Sequence, residues 1–143
     1  MKVIYLFIFH SLLLTLHSLT TTIHSSLMKT KRYCQTLDLK DDPKLIEEYK
    51  KRHTKAEFWP EIRDGIKEVG ILGMEIYILG TRLFMIVETA PDFEWDAAFA
   101  KLDTLPRQRE WEEYMSIFQQ APPGASSAEK WQMMERMFYL YDD

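Results

Sequence analysis

Met74-Glu75-Ile76-Tyr77-Ile78-Leu79-Gly80-Thr81-Arg82-Leu83-Phe84-Met85-Ile86-Val87-Glu88 holds two apolar runs joined by a two-residue link. Gly80 stands where a type II′ turn needs a positive φ, so the spacing predicts a β-hairpin with strands over 74–79 and 82–88. The second run is apolar without a break from Leu83 to Val87, which predicts a strand buried on both faces. Working outward, 31–39 alternates as a strand does, with Tyr33, Gln35, Leu37 and Leu39 on one side and Cys34, Thr36 and Asp38 on the other. Asp42 as N-cap and Pro43 in the first turn open a helix that runs to His53, with Glu47–Lys51 and Glu48–Arg52 as outward pairs. Trp59-Pro60 restarts the chain, and Ile62, Ile66 and Val69 carry an apolar stripe as far as Gly70. Downstream, 93–102 and 106–118 read as helices, the second opened by Pro106 and pairing Arg109 with Glu113. Residues 119–128, with Pro122-Pro123-Gly124, read as a loop, and 137–141 as a closing strand rich in Phe and Tyr.

Strand, helix, two strands, helix, strand is the ferredoxin-like βαββαβ order, an α+β fold with its helices on one face of an antiparallel sheet. A strand apolar on both faces then needs a second cover, which predicts a homodimer with two sheets packed face to face. The competing reading is a monomer in which residues 1–27 or the loop near Pro122 lies over the open face. The chain of 143 residues suits one core. Its net charge is −4, and because Lys2 is the only charge before Met28, the remainder carries −5. That balance argues against nucleic acid, whose phosphates demand a basic face. Cys34 is the only cysteine, which excludes an internal disulfide and a thiolate zinc cluster.

Residues 1–27 differ in kind: Lys2, an apolar run from Val3 to Leu16, then a tract rich in Ser and Thr. They are expected to be an extension outside the fold, with 28–143 as the domain. The apolar run is signal-like but no A-x-A-like cleavage site follows it, and it falls short of the roughly 20 residues of a membrane-spanning helix. His10, His17 and His24 recur every seven residues. On a helix that spacing separates them by about 10 Å, too far to share one metal ion. A start at Met28 implies a cytoplasmic protein; a functional 1–27 segment implies export or membrane association. No membrane contact is expected of the folded domain itself.

The body therefore holds one imidazole, His53. Tyr49 lies four residues before it, which in a helix sets phenol and imidazole side by side. An imidazole titrating near pH 6.5 is suited to moving protons at neutral pH. A helix histidine with a structural hydrogen bond is the plainer reading, as core filler is for Tyr49 and Trp111 and solvated charge for Glu75 and Glu110. Tyr77 shares a strand side with Glu75 and reads as packing.

Tyr49-Lys50-Lys51-Arg52-His53, Trp59-Pro60-Glu61, Leu83-Phe84-Met85-Ile86-Val87-Glu88, Glu110-Trp111-Glu112-Glu113-Tyr114-Met115 and Phe138-Tyr139-Leu140 together resemble the L-rhamnose mutarotases. The likeness runs from about Arg32 to Leu140, and the tyrosine/histidine spacing followed by Trp-Pro-Glu is its most specific part. It implies a dimeric α/β-barrel and a cofactor-free, metal-free isomerase of a small sugar. On the matching positions it implies that His53 is the catalytic proton donor, Tyr49 a sugar-binding tyrosine and Trp111 the second of two adjacent sugar-binding tryptophans. Met74 stands where the family has a substrate-binding tyrosine, and Glu110 where it has the first tryptophan. The Gly73-Met74-Glu75-Ile76-Tyr77 form is similar to a sub-branch associated with L-fucose.

The resemblance thus implies interconversion of the α and β anomers of a 6-deoxy-L-hexose, L-rhamnose in the first place, with L-fucose favoured by Met74 and Glu110. One group protonates the ring oxygen while another takes the anomeric proton. His53 is one partner, Glu75 or Glu110 is a candidate for the other or for holding hydroxyls, and Tyr49, Trp111 and Met74 line the sugar. Fold alone does not decide function, and a ferredoxin-like ligand-binding module or small oxygenase is the alternative.

Overall fold

The computed structural model describes residues 30–140. The extension over 1–27 lies outside the described residues, as does Tyr141. Within them the order is β1 (Lys31–Asp38), α1 (Pro43–Arg52), α2 (Pro60–Glu68), β2 (Ile71–Leu79), β3 (Arg82–Thr89), α3 (Trp95–Leu102), α4 (Gln108–Ser116), α5 (Ser127–Lys130) and β4 (Gln132–Met133). The sheet is antiparallel throughout, in the order β2-β3-β1-β4. This is the α+β, ferredoxin-like arrangement that the pattern of elements predicts.

Local chemistry explains most of the boundaries. The Asp42 carboxylate accepts from the Lys44 and Leu45 amides and caps α1, with Pro43 at its first turn. Gly70, at φ 93°, turns the chain out of α2 in the left-handed conformation that glycine adopts without steric cost. Gly80, at φ 60°, does the same for the hairpin. Register then places Leu37, Leu83, Met85 and Val87 on the helix side of the sheet, where they are buried against Tyr49, Ile62, Phe99, Trp111 and Met115.

Within the single chain β3 buries Leu83, Met85 and Val87 on one face, while Phe84 and Ile86 are half-covered on the other, the face expected to need a second cover. Several expectations are corrected. The helix anticipated from Pro106 begins at Gln108, because Arg107 sits in the left-handed region at φ 63° and the Gln108 amide closes a turn onto the Leu105 carbonyl. Arg109 pairs with Asp103, not Glu113, and Glu47 pairs with Lys50, not Lys51; Glu48–Arg52 forms as expected. Tyr77 is not packing: it is 54% exposed and donates to Glu75.

The largest correction is at the C-terminus. The strand on β1 is Gln132–Met133, extended by the Met134 amide to the Cys34 carbonyl at 2.8 Å. Residues 137–140 form no strand, and Met137, Phe138 and Leu140 are 96%, 71% and 72% exposed. Aromatic and β-branched content reports fit to a pleated surface, not which surface supplies the partner.

Candidate active site

The helix layer does not close completely over the sheet. A cleft of about 440 Å³ runs between α1, α2, α4 and the inner face of β2, within the range of roughly 300–1,000 Å³ usual for small-molecule sites. Its walls are mainly apolar; His53, Gln108, Glu112 and Gln119 converge from α1, α4 and the residues that follow them, with Arg63 and Lys67 on the α2 wall and Ser127 from α5.

His53 caps the C-terminus of α1, and its Nδ1 lies 2.8 Å from the Tyr49 carbonyl. A carbonyl only accepts, so Nδ1 carries the hydrogen and Nε2 of the neutral ring keeps its lone pair. Burial lowers the imidazole pKa below its ordinary value, with the bond to the Tyr49 carbonyl opposing in part. At neutral pH the ring is therefore uncharged. The Tyr49 ring lies 4.2 Å from it, and Trp111 and Phe58 approach at 5.6 and 5.9 Å.

Tyr49 is 3% exposed, its ring also meeting Phe118. Burial pushes the phenol pKa up; hydrogen bonding with Gln119 opposes this and the charge of Glu112 reinforces it. Trp111 is 6% exposed, set among Phe58, Trp59 and Tyr114 as well as His53. Met74 reaches the cleft from β2.

The other two candidates are not brought to this place. Glu75 is on the open face of the sheet, bound by the Tyr77 hydroxyl. Glu110 is 59% exposed and held by Arg107, whose guanidinium lies 3.8 Å over the Trp59 ring and also reaches Glu61. Arg107 holds the Glu110 carboxyl below its usual range. Among the described residues no group of His, Cys, Asp and Glu side chains has the makings of a metal site.

Sequence reasoning missed Glu112. Its side chain is 13% exposed, with Oε2 accepting from Lys130 at 2.9 Å and Oε1 from Gln108 at 2.9 Å. Burial raises its pKa; Lys130 and then Gln108 oppose this, and Asp103 adds to it. The signal was present, since Gln108 and Glu112 share with Trp111 and Met115 the i, i+3, i+4, i+7 stripe that faces the core.

A four-stranded antiparallel sheet, helices on one face, and a histidine-bearing cleft between the layers define a ferredoxin-like α+β scaffold whose cleft is open and largely apolar and holds a few polar groups. Residues 32–140 match the L-rhamnose mutarotase family, and the chain belongs to that family of carbohydrate isomerases. It is 38% identical over 113 residues to an L-fucose mutarotase of Xanthomonas campestris, covering 79% of this chain and 90% of that one. It is 40% identical over 114 residues to a UPF0734 protein of Dictyostelium discoideum, covering 77% and 90%. The crystal structure of an L-rhamnose mutarotase from Formosa agariphila superposes with a TM-score of 0.56 at 23% identity, covering 78% of this chain and 99% of that one, which shows the shared fold.

Proposed function

We propose that this protein is a mutarotase that interconverts the α and β anomers of a 6-deoxy-L-hexose, with L-fucose or L-rhamnose as the substrate. The observation that carries this reading is His53: a neutral imidazole tethered through Nδ1, its ring beside a buried tyrosine and a buried tryptophan at the cleft. Anomer exchange requires one proton to leave the anomeric hydroxyl as another reaches the ring oxygen. Positioned acid/base groups accelerate such a step by about 10²- to 10⁴-fold. Met74 in place of a tyrosine and the likeness to an L-fucose mutarotase favour L-fucose. Following anomer exchange of L-fucose and L-rhamnose by NMR tests the reading, and exchange no faster than the uncatalysed reaction for both sugars overturns it.

A homodimer is part of the same reading. The open sheet face carries half-buried Phe84 and Ile86 with exposed Tyr77 and Leu79, and Met137, Phe138 and Leu140 are exposed beyond β4. A second copy of the same face is the occupant that covers both. The domain begins near Met28, consistent with a family match from residue 32, so a chain starting at Met28 should fold and exchange anomers as the full chain does. Such a chain would be cytoplasmic; among the described residues no helix is long and apolar enough to cross a membrane.

A further inference from the structure

We propose that Glu112 is the second proton-transfer group of the cleft, acting with His53, and that Lys130 and Gln108 are the positioning residues that fix its carboxylate. The inference rests on the mutarotase reading above. Glu112 and His53 line the same cleft, and Tyr49, in ring contact with His53, feels the Glu112 charge. Lys130 Nζ grips Glu112 twice, through its main-chain carbonyl at 2.6 Å and through Oε2 at 2.9 Å. The four-residue helix that delivers Lys130 is itself held by reciprocal bonding between Ser126 and Glu129.

The pair is asymmetric: only the glutamate reaches the cleft, and its other side borders a second hollow with Asp103, Arg109, Glu113 and Glu129. The lysine side chain is 1% exposed and absent from the cleft wall, whereas the glutamate is 13% exposed and forms part of it. Each carboxylate oxygen accepts one bond from the protein, leaving further lone pairs for a hydroxyl. A buried ion pair is a poor source of net stability compared with apolar packing, so its presence beside the cleft fits a chemical use. Burial lowers the proton affinity of His53, and raises that of Glu112 against the opposing pull of Lys130 and Gln108.

In the active form one proton is shared between them. Nε2 of neutral His53, whose one N–H is tied to the Tyr49 carbonyl, takes the proton of the anomeric hydroxyl. His53 is thus the base on ring opening, and is the proton donor that the resemblance implies only as imidazolium on ring closure. The electron pair left on that oxygen forms the aldehyde C=O, and the bond from the anomeric carbon to the ring oxygen breaks. The ring oxygen receives the proton of the Glu112 carboxyl, leaving imidazolium, carboxylate and the open-chain sugar. Rotation of the aldehyde and the reverse transfers close the ring on its other face and restore both groups. A second proton leaves no base and loss of the last leaves no acid, so the rate is bell-shaped in pH. The titratable and charged groups around Glu112 are Lys130 and Glu129 on α5, Asp103 after α3, Arg109 and Glu113 on α4, Tyr49 and His53 on the α1 side, and Arg63 and Lys67 on the α2 wall.

The wild-type pH profile with L-fucose and with L-rhamnose is the first measurement: a bell supports the proposal, and a profile with a single limb overturns it. Glu112→Gln should then lose about 10²-fold or more in exchange, hold sugar affinity within a few-fold, and flatten one limb. If the lysine left without its carboxylate prevents folding, Glu112→Gln combined with Lys130→Met removes both charges and is held to the same outcomes. A folded variant with the wild-type rate and bell overturns this inference and leaves the mutarotase reading standing. A wild type that exchanges neither sugar overturns both.

Discussion

The imidazole of His53 donates through Nδ1 to the carbonyl of Tyr49, 2.8 Å away and four residues earlier in the same helix. That carbonyl belongs to the last turn of α1, where no further helical amide claims it, so the helix end itself selects the tautomer. The spacing that places phenol beside imidazole thus also leaves Nε2 with its lone pair.

His53→Asn is expected to leave a folded, sugar-binding protein whose exchange falls by about 10²- to 10⁴-fold, because an amide replaces the hydrogen bond but not the proton transfer. NMR exchange rates and sugar affinity, measured together, check it. Near-normal exchange would show that His53 is structural.

The same histidine makes stability depend on pH. Its folded pKa is lowered, so the unfolded chain binds the proton more tightly; the stabilisation from a neutral His53 is full above about pH 6.5 and fades as pH falls towards the folded value. Melting temperatures of wild type and His53→Asn should therefore converge or cross on acidification from pH 7. A gap that widens in favour of the wild type contradicts the lowered pKa.

Trp111→Ala should cost about 3–5 kcal/mol of stability, since the ring is buried among Phe58, Trp59, Tyr114 and His53. Loss of sugar binding in that variant would not separate stacking from unfolding. Trp111→Phe keeps most of the packing, and denaturant titration alongside sugar affinity distinguishes a sugar platform from a core residue.

Met74 and Glu110 are expected to separate as selectors of the sugar. Met74→Tyr alters the cleft wall and should move the ratio of exchange rates towards L-rhamnose. Glu110→Trp alone should leave that ratio unchanged, because Glu110 faces Arg107 outside the cleft. Competition between the two sugars in one NMR sample reads both effects, and a shift from Glu110→Trp alone would contradict this placement.

Ile86→Asp on the open face of β3 should weaken self-association while leaving the cleft intact, and deletion after Leu140 should not. Sedimentation at micromolar protein measures this. A wild type that sediments as a monomer would mean that the half-covered face of Phe84 and Ile86 is open in solution.

The sequence by itself determined the elements whose causes are local. Asp42-Pro43 opens α1 because the carboxylate accepts from its first amides and the proline has no amide to satisfy; Gly70 and Gly80 end α2 and turn the hairpin because glycine bears a positive φ freely. The Tyr49/His53 contact was equally legible, being one helical turn in a single helix. Only the tertiary structure decided what depends on distant partners. Residues 137–140 have strand-forming side chains but pair with no strand of the described sheet, so composition located the wrong strand and the ladder fell at Gln132–Met133. Glu110 and Glu112 are two residues apart on one helix, yet 200° of rotation turns one to Arg107 in solvent and the other into the cleft. Which glutamate is buried was therefore decided by the lysine from α5, eighteen residues further along, whose ammonium offsets the cost of a buried carboxylate at 112.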